Sequence, residues 1–233
     1  MGILNIITYI PLFGALVILF FVNRNNGRAI RIAATATVVI DFLVSLYLWP
    51  NFNRAGTGDG LWQFREVYDW IPSLGVKYDF GVDGISMLLI LMTTFMGIIA
   101  VVSSYSAIHH REKEYYTLLL MLQTGMIGTF CALDFFLFYV FWEIMLVPMY
   151  FIIGIWGGSR KLYAAIKFFL FTIAGSLLML LGIIYLVFQN YHQTGNPTFA
   201  ITELYGTELL PRAQMLLFFA FSLAFAIKVP LFP

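Results

Sequence analysis

The chain has 233 residues, 61% hydrophobic and 11% charged, with a formal net charge of +1 and a mean hydropathy of +0.88. A soluble domain carries roughly 25% charged residues, so this chain cannot cover itself with polar surface and reads as an all-α polytopic membrane protein. A charge near zero without a basic stripe argues against nucleic acid as a partner. One cysteine, Cys131, excludes an internal disulfide, and with the scattered histidines His109, His110 and His192 it assembles no haem, zinc or iron–sulfur site.

A span needs about 20 mostly apolar residues, and that template fits seven times, near 3–22, 30–49, 84–104, 115–133, 135–156, 163–188 and 213–233. The first is not a removable signal, because it lacks a basic leader and is long enough to cross. The sixth is long enough to require tilt or an end outside the hydrocarbon. The seventh is interrupted by proline and incomplete, so the chain is expected to be a fragment of a longer protein. Arg24, Arg28 and Arg31, then Arg111 and Lys113, then Arg160 and Lys161 fall in or beside three loops on one side. The positive-inside rule makes that side cytoplasmic and puts the N-terminus on the outer face.

The long segment 50–83 carries Trp62, Tyr68, Trp70 and Tyr78 alternating with polar residues, the pattern of a short hairpin or an amphipathic element at the headgroup level. Gly56, Gly58 and Gly60 have the wrong spacing for a dinucleotide loop. Asp83 and Asp134 each directly precede a span and read as helix N-caps.

Ionisable residues inside the spans are Asp41, Glu143, Lys167 and Lys228, with Asp134 near an end. Glu143 lies about nine residues into the fifth span, roughly 13 Å deep, where a carboxylate is a functional hypothesis by default. Pro148, five residues later, removes the hydrogen bond to the carbonyl of Ile144. Lys228 lies in the seventh span beside Pro230 and Pro233, which release the carbonyls of Ala226 and Val229, and broken helices at that depth line protein or water. Lys167 sits about one turn inside its span, where snorkelling competes with function. Asp41 stands alone and suits an interhelical hydrogen bond.

Lys228 is the expected partner of Glu143. At 4 Å and an effective dielectric of about 20 their attraction is roughly 4 kcal/mol, while burial favours the neutral form of each. A change in their separation is therefore enough to move a proton, without any cofactor.

Phe141-Trp142-Glu143-Ile144-Met145-Leu146-Val147-Pro148-Met149-Tyr150, followed by Ile153-Gly154-Ile155-Trp156-Gly157, resembles the fifth-span motif of the subunit M family of respiratory NADH:quinone oxidoreductase (complex I), the counterpart of mitochondrial chain four. The stretches Phe80–Ser86, Tyr163–Phe169 and Lys228–Pro233 match the same family in order. The likeness covers essentially the whole chain and implies the N-terminal half of an antiporter-like fold of about fourteen helices with inverted five-helix repeats. Residues 1–110 would be flanking helices, and 111–233 an incomplete first repeat. Glu143, Lys228 and Lys167 would carry protons, with Lys167 near Glu143, and Pro148, Pro230 and Pro233 would be the helix breaks.

The resemblance further implies a bacterial inner-membrane location and partners among complex I membrane subunits, including sibling antiporter-like subunits. NADH, flavin, iron–sulfur clusters and quinone would belong to other subunits, leaving this chain without cofactor, metal or redox chemistry. A multisubunit sodium/proton antiporter, a membrane-bound hydrogenase arm and a purely structural membrane subunit remain as alternatives.

Overall fold

A computed structural model describes residues 2–53 and 62–231. Arg54, Gly56, Gly58, Gly60 and Pro233 therefore lie outside the described residues. The elements in order are α1 (Ile3–Phe21), α2 (Gly27–Ser45), the single turn α3 (Leu48–Asn51), β1 (Gln63–Ile71), β2 (Val76–Val82), α4 (Gly84–Ala107), α5 (Glu112–Cys131), α6 (Phe135–Ile144), α7 (Leu146–Trp156), α8 (Lys161–Thr194), the turn α9 (Ile201–Leu204) and α10 (Pro211–Lys228). Six of the helical stretches, counting α2–α3 and α6–α7 once each, are long and apolar enough to cross a membrane.

Helix α5 answers to the remaining expected span. It has 20 residues and packs against α1, α2, α4 and α6, but its first turn carries Glu112 and Glu114. Those charges find partners at the loop end of the bundle. Arg31 donates to both carboxylate oxygens of Glu112, at 3.0 and 2.8 Å, and to the carbonyl of Ile108 at 3.3 Å. Arg24 pairs with Glu114 at 2.9 Å, and the Trp156 indole N–H reaches the His110 carbonyl at 2.9 Å. The three basic loops thus converge on one end of the molecule.

The opposite end is capped by backbone pairing. Strands β1 and β2 form an antiparallel hairpin with Tyr68 opposite Tyr78 and Glu66 opposite Phe80, one of the two outcomes expected of the alternating aromatic segment. Gly75 makes the turn at φ +70°, and a Cβ there would lie 1.9 Å from the Pro197 carbonyl oxygen, so the position needs glycine twice over. The Leu133 N–H donates to the Asp79 carbonyl (2.8 Å), Phe135 to Phe199 (2.9 Å) and Ile201 to Leu133 (2.9 Å), which ties the α5–α6 and α8–α10 connections to the hairpin.

Glu66 accepts from the Gly2 N–H at 2.8 Å and from the Asn5 amide at 2.5 Å, fixing α1 under the same cap. Arg65 grips the fully buried Asp79 with two bonds, at 3.0 and 2.6 Å. Hydrogen bonding to Asp79 also raises the affinity of the Arg65 guanidinium for its proton.

Both predicted N-caps are present. Asp83 accepts from Ile85 and Ser86 while Ser86 accepts from the Asp83 N–H, a complete capping box. Asp134 accepts from Phe136 and Leu137, and also from the Lys77 N–H at 3.0 Å, so it joins helix start to hairpin as well. Helix α8 runs 34 residues, further than expected, and stops at Gly195 with φ +76°. At 1.5 Å per residue that is about 51 Å, which exceeds a 30 Å hydrocarbon core; its last turns stand outside or the helix tilts.

One apolar core joins Leu4, Ile7 and Leu48 to Phe80, Ile127, Cys131 and Phe141, so 1–110 shares packing with α5 and α6. Helices α8 and α10 pack around a separate cluster at Trp142, Met179 and Ala224. The outward faces are apolar too, with Phe13 70% and Phe20 71% exposed, as lipid-facing helices require.

Candidate functional site

The fifth span is two helices. Helix α6 ends at Ile144, α7 begins at Leu146, and Met145 is the joint. Pro148 is buried in the first turn of α7; it has no N–H to return to Ile144, and its ring crowds that carbonyl. The break, at Met145, comes two residues after Glu143 and so sets the carboxylate in the last turn of a helix rather than in a continuous ladder.

Glu143 is half-buried, and its Oε1 is fully shielded with no hydrogen-bond partner among the described residues. The Tyr139 phenol, one turn earlier on α6, interacts with both Glu143 and the Ser176 hydroxyl of α8. Ser176 is 2% exposed and donates to the Ile173 carbonyl at 3.1 Å. The Tyr139 phenol of α6 thus lies near both the carboxylate and the Ser176 hydroxyl of α8.

Lys228 is the last residue of α10. It is half-buried and does not form the expected ion pair with Glu143: the ion pairs found among the described residues lie elsewhere. Its ammonium instead donates to the Trp142 carbonyl at 3.1 Å and sits 4.7 Å from the centroid of the Trp142 indole. Consecutive helical side chains point about 100° apart, and α10 approaches α6 on the Trp142 side. Glu143 remains within electrostatic reach of the ammonium.

The indole is fixed from both sides. Phe138 stacks on it with ring centroids 5.6 Å apart, and Phe225 of α10 meets it edge-on at 5.6 Å. Met145, Met179, Ile183 and Ala224 complete an apolar wall around it. An ammonium held by a carbonyl and a π face, with its carboxylate one residue away, is a charge without a direct counter-ion.

Pro230 does not leave the Ala226 carbonyl free, as the sequence suggested. The Leu231 N–H takes it at 2.9 Å across a wider turn, and the Val229 N–H bonds Phe225 at 2.9 Å. Pro233, and with it the proposed release of the Val229 carbonyl, lies outside the described residues.

Lys167 is exposed near the start of α8, its Nζ 6.0 Å from the Tyr163 ring centroid. No hydrogen bond or ion pair joins it to Glu143 among the described residues. Asp41 has the interhelical partner expected of it. The Gln123 amide of α5 donates to its Oδ2 at 2.7 Å, while Oδ1 is buried and unpartnered among the described residues.

Sequence reasoning missed Trp142, Tyr139 and Ser176. Aromatic and hydroxyl residues are common in spans and carry no charge to mark them. The adjacency of Trp142 to Glu143 and the 3.6-residue spacing of Tyr139 from it were the available signals.

Two family models match in tandem: NADH-ubiquinone oxidoreductase chain 4, amino terminus, over residues 64–129, and NADH:quinone oxidoreductase/Mrp antiporter, TM, over residues 132–233. NADH-quinone oxidoreductase subunit M of Rickettsia typhi is 36% identical over 99% of this chain and 46% of its own length. NADH-ubiquinone oxidoreductase chain 4 of Arabidopsis thaliana is 40% identical over 96% of this chain and 43% of its own. A chain of respiratory complex I from Thermus thermophilus with bound NADH superposes with a TM-score of 0.81 at 27% identity, covering 97% of this chain and 44% of that one. The chain spans about half the length of the curated relatives it matches. With its broken fifth span, its lysine at the end of α10 and these matches along nearly its whole length, the chain belongs to the antiporter-like subunit M/chain 4 family of NADH:quinone oxidoreductase.

Proposed function

We propose that this chain is part of a proton-translocating membrane subunit of NADH:quinone oxidoreductase, in which Glu143 and Lys228 exchange protons when α6 and α10 shift. The observation that carries the reading is the ammonium of Lys228 resting on the Trp142 carbonyl and indole, beside Glu143 but unpaired with it. Two arrangements of the same groups follow: one with ammonium and carboxylate in contact, and one with them apart. The attraction lost on separation, about 4 kcal/mol at an effective dielectric of 20, is comparable to three pKa units. That is enough to drive a proton off the lysine or onto the carboxylate. Tyr139 and Ser176 supply hydroxyls for its passage toward α8, and the Pro148 break lets α6 move without dragging α7.

In this reading the energy comes from redox chemistry in other subunits, which hold the NADH, flavin, iron–sulfur and quinone sites. The partners are further complex I membrane subunits, including sibling antiporter-like subunits. Residues 111–233 carry an incomplete first repeat, and Lys167 modulates the site from the start of α8. The convergence of the basic loops supports a cytoplasmic placement for that end and an outer-face N-terminus, and the same reading places the subunit in a bacterial inner membrane.

A multisubunit sodium/proton antiporter is the second reading, because one matching family description names both systems. The match of residues 64–129 to a chain 4 model favours the first.

The test is made in the full-length subunit assembled into its complex. Glu143→Gln and Lys228→Ala are expected to abolish NADH-driven proton uptake into inverted vesicles while the complex still assembles and still oxidises NADH with an artificial acceptor. Pumping retained in both variants overturns the proposal. Failed assembly in both assigns the residues to structure instead.

A further inference from the structure

At the basic end of the molecule, a groove of about 780 Å³ opens between α7 and the start of α8. Arg160, Lys161 and Lys167 line it, together with Tyr163, Phe168 and Phe171, and no acidic residue does. All three cations are exposed, and none pairs with a carboxylate among the described residues. Lys161 donates to the Ile155 carbonyl at 2.6 Å, and Lys167 lies over Tyr163. Gly158 leaves the mouth open, since a Cβ there would meet nothing within 4 Å.

The groove does not end at the cations. A second hollow of about 500 Å³ shares Tyr163, Lys167 and Phe171 with the first and continues along Ile166, Leu170 and Ala174. Its lining beyond Lys167 is wholly apolar. From Lys161 to Ala174 the helix rises about 20 Å, close to the depth of one leaflet, half of a bilayer about 40–45 Å thick with its headgroups. The channel is thus positive at one end, greasy at the other, and one lipid long.

We infer that this continuous groove along the first turns of α8 is a binding site for an anionic phospholipid, its phosphate between Arg160 and Lys161 and an acyl chain against Leu170 and Phe171. Charge selects the headgroup. Cations at a membrane surface attract anionic lipid and do little for a zwitterionic one, whose own ammonium would oppose them. The apolar continuation selects a lipid over free phosphate, which would fill only the mouth. This assignment is independent of Glu143 and Lys228, and does not depend on which ion the subunit moves.

The test uses the full-length subunit in its purified complex, in nanodiscs containing trace phosphatidylglycerol or phosphatidylcholine with a photoactivatable acyl chain. Peptide mapping after illumination is expected to place phosphatidylglycerol label on 163–174, with little label from the choline lipid. Arg160→Gln together with Lys161→Gln should reduce the labelling about thirtyfold, the loss expected for two interfacial cations. Millimolar inorganic phosphate should leave labelling unchanged. Equal labelling by the two lipids, competition by phosphate, labelling indifferent to the double substitution, or no label on α8 because protein covers the groove would each overturn the assignment. If the double variant fails to assemble, the comparison of the two lipids on the unaltered complex decides.

Discussion

Lys228 reaches back from the end of α10 to the Trp142 carbonyl on α6, 3.1 Å away, and places its ammonium 4.7 Å from the indole centroid. The tryptophan therefore holds the lysine by backbone and ring at once, one residue from Glu143. A lysine held by neutral groups is released at less cost than one held by a carboxylate, which suits a group that must change partners.

The ring contributes separately from the carbonyl. Trp142→Leu removes a cation–π contact of about 0.5–2 kcal/mol and is expected to slow proton pumping several-fold in the assembled complex, while Trp142→Phe stays within about twofold of the wild type. Proton uptake normalised to the amount of complex measures this. Identical rates for the two variants would remove the ring from the mechanism and leave the carbonyl alone.

Asp79 is fully buried and takes both of its bonds from Arg65. Arg65→Ala strands that carboxylate and should cost about 2–3 kcal/mol, read as a lower melting temperature of the complex or loss of this subunit from it. Arg65→Lys keeps the charge but loses the fork, so its effect should be intermediate.

Gln123 of α5 donates to one carboxylate oxygen of Asp41 on α2. Gln123→Leu leaves a buried carboxyl without its donor and is expected to destabilise by about 1–3 kcal/mol. Replacing both residues by leucine removes the orphaned group, so the double variant should be the more stable of the two. Thermal melts of the three proteins make the comparison. A double variant worse than Gln123→Leu would show that Asp41 does more than bridge helices.

Glu203 is held below the ordinary carboxylate value by a hydrogen bond from Thr198 and by Lys77, whose Nζ lies 3.2 Å from it. Because the folded-state value is the lower one, the stabilisation is full above the ordinary value near 4.5 and is lost as pH falls through the folded-state value. Glu203→Gln should therefore loosen the hairpin cap slightly at pH 7, by no more than about 1 kcal/mol for a pair this exposed. The difference from wild type should shrink as pH falls below the ordinary value and vanish only below the folded-state value. Melting curves at pH 7 and at successively lower pH test it.

Much of this molecule was legible in the residues. Runs of apolar side chains located the long helices to within a few residues, because the hydrocarbon thickness sets their length. Asp83 and Asp134 announced helix starts through local hydrogen bonding alone. The alternating aromatics of β1 and β2 suited a hairpin or an amphipathic interfacial element, and the backbone pairing decided for the hairpin. Pro148 located the break in the fifth span because a missing N–H is a local fact. The extension of α8 to Thr194 was hidden, since Gln189 to Thr194 is polar and helical geometry there depends on what the cap packs against.

The sequence by itself determined that this is a membrane bundle with a costly carboxylate at Glu143, a lysine at a helix break, and basic loops grouped on one side. Those are consequences of solvation and backbone chemistry, which act residue by residue. Only the tertiary structure decided who meets whom: Lys228 with Trp142 rather than Glu143, Leu231 with the Ala226 carbonyl, Arg65 with Asp79, and Lys167 in a surface groove apart from Glu143. Partner choice depends on the side from which one helix approaches another, and a rotation of 100° per residue turns that into a question of packing that no single stretch of sequence contains.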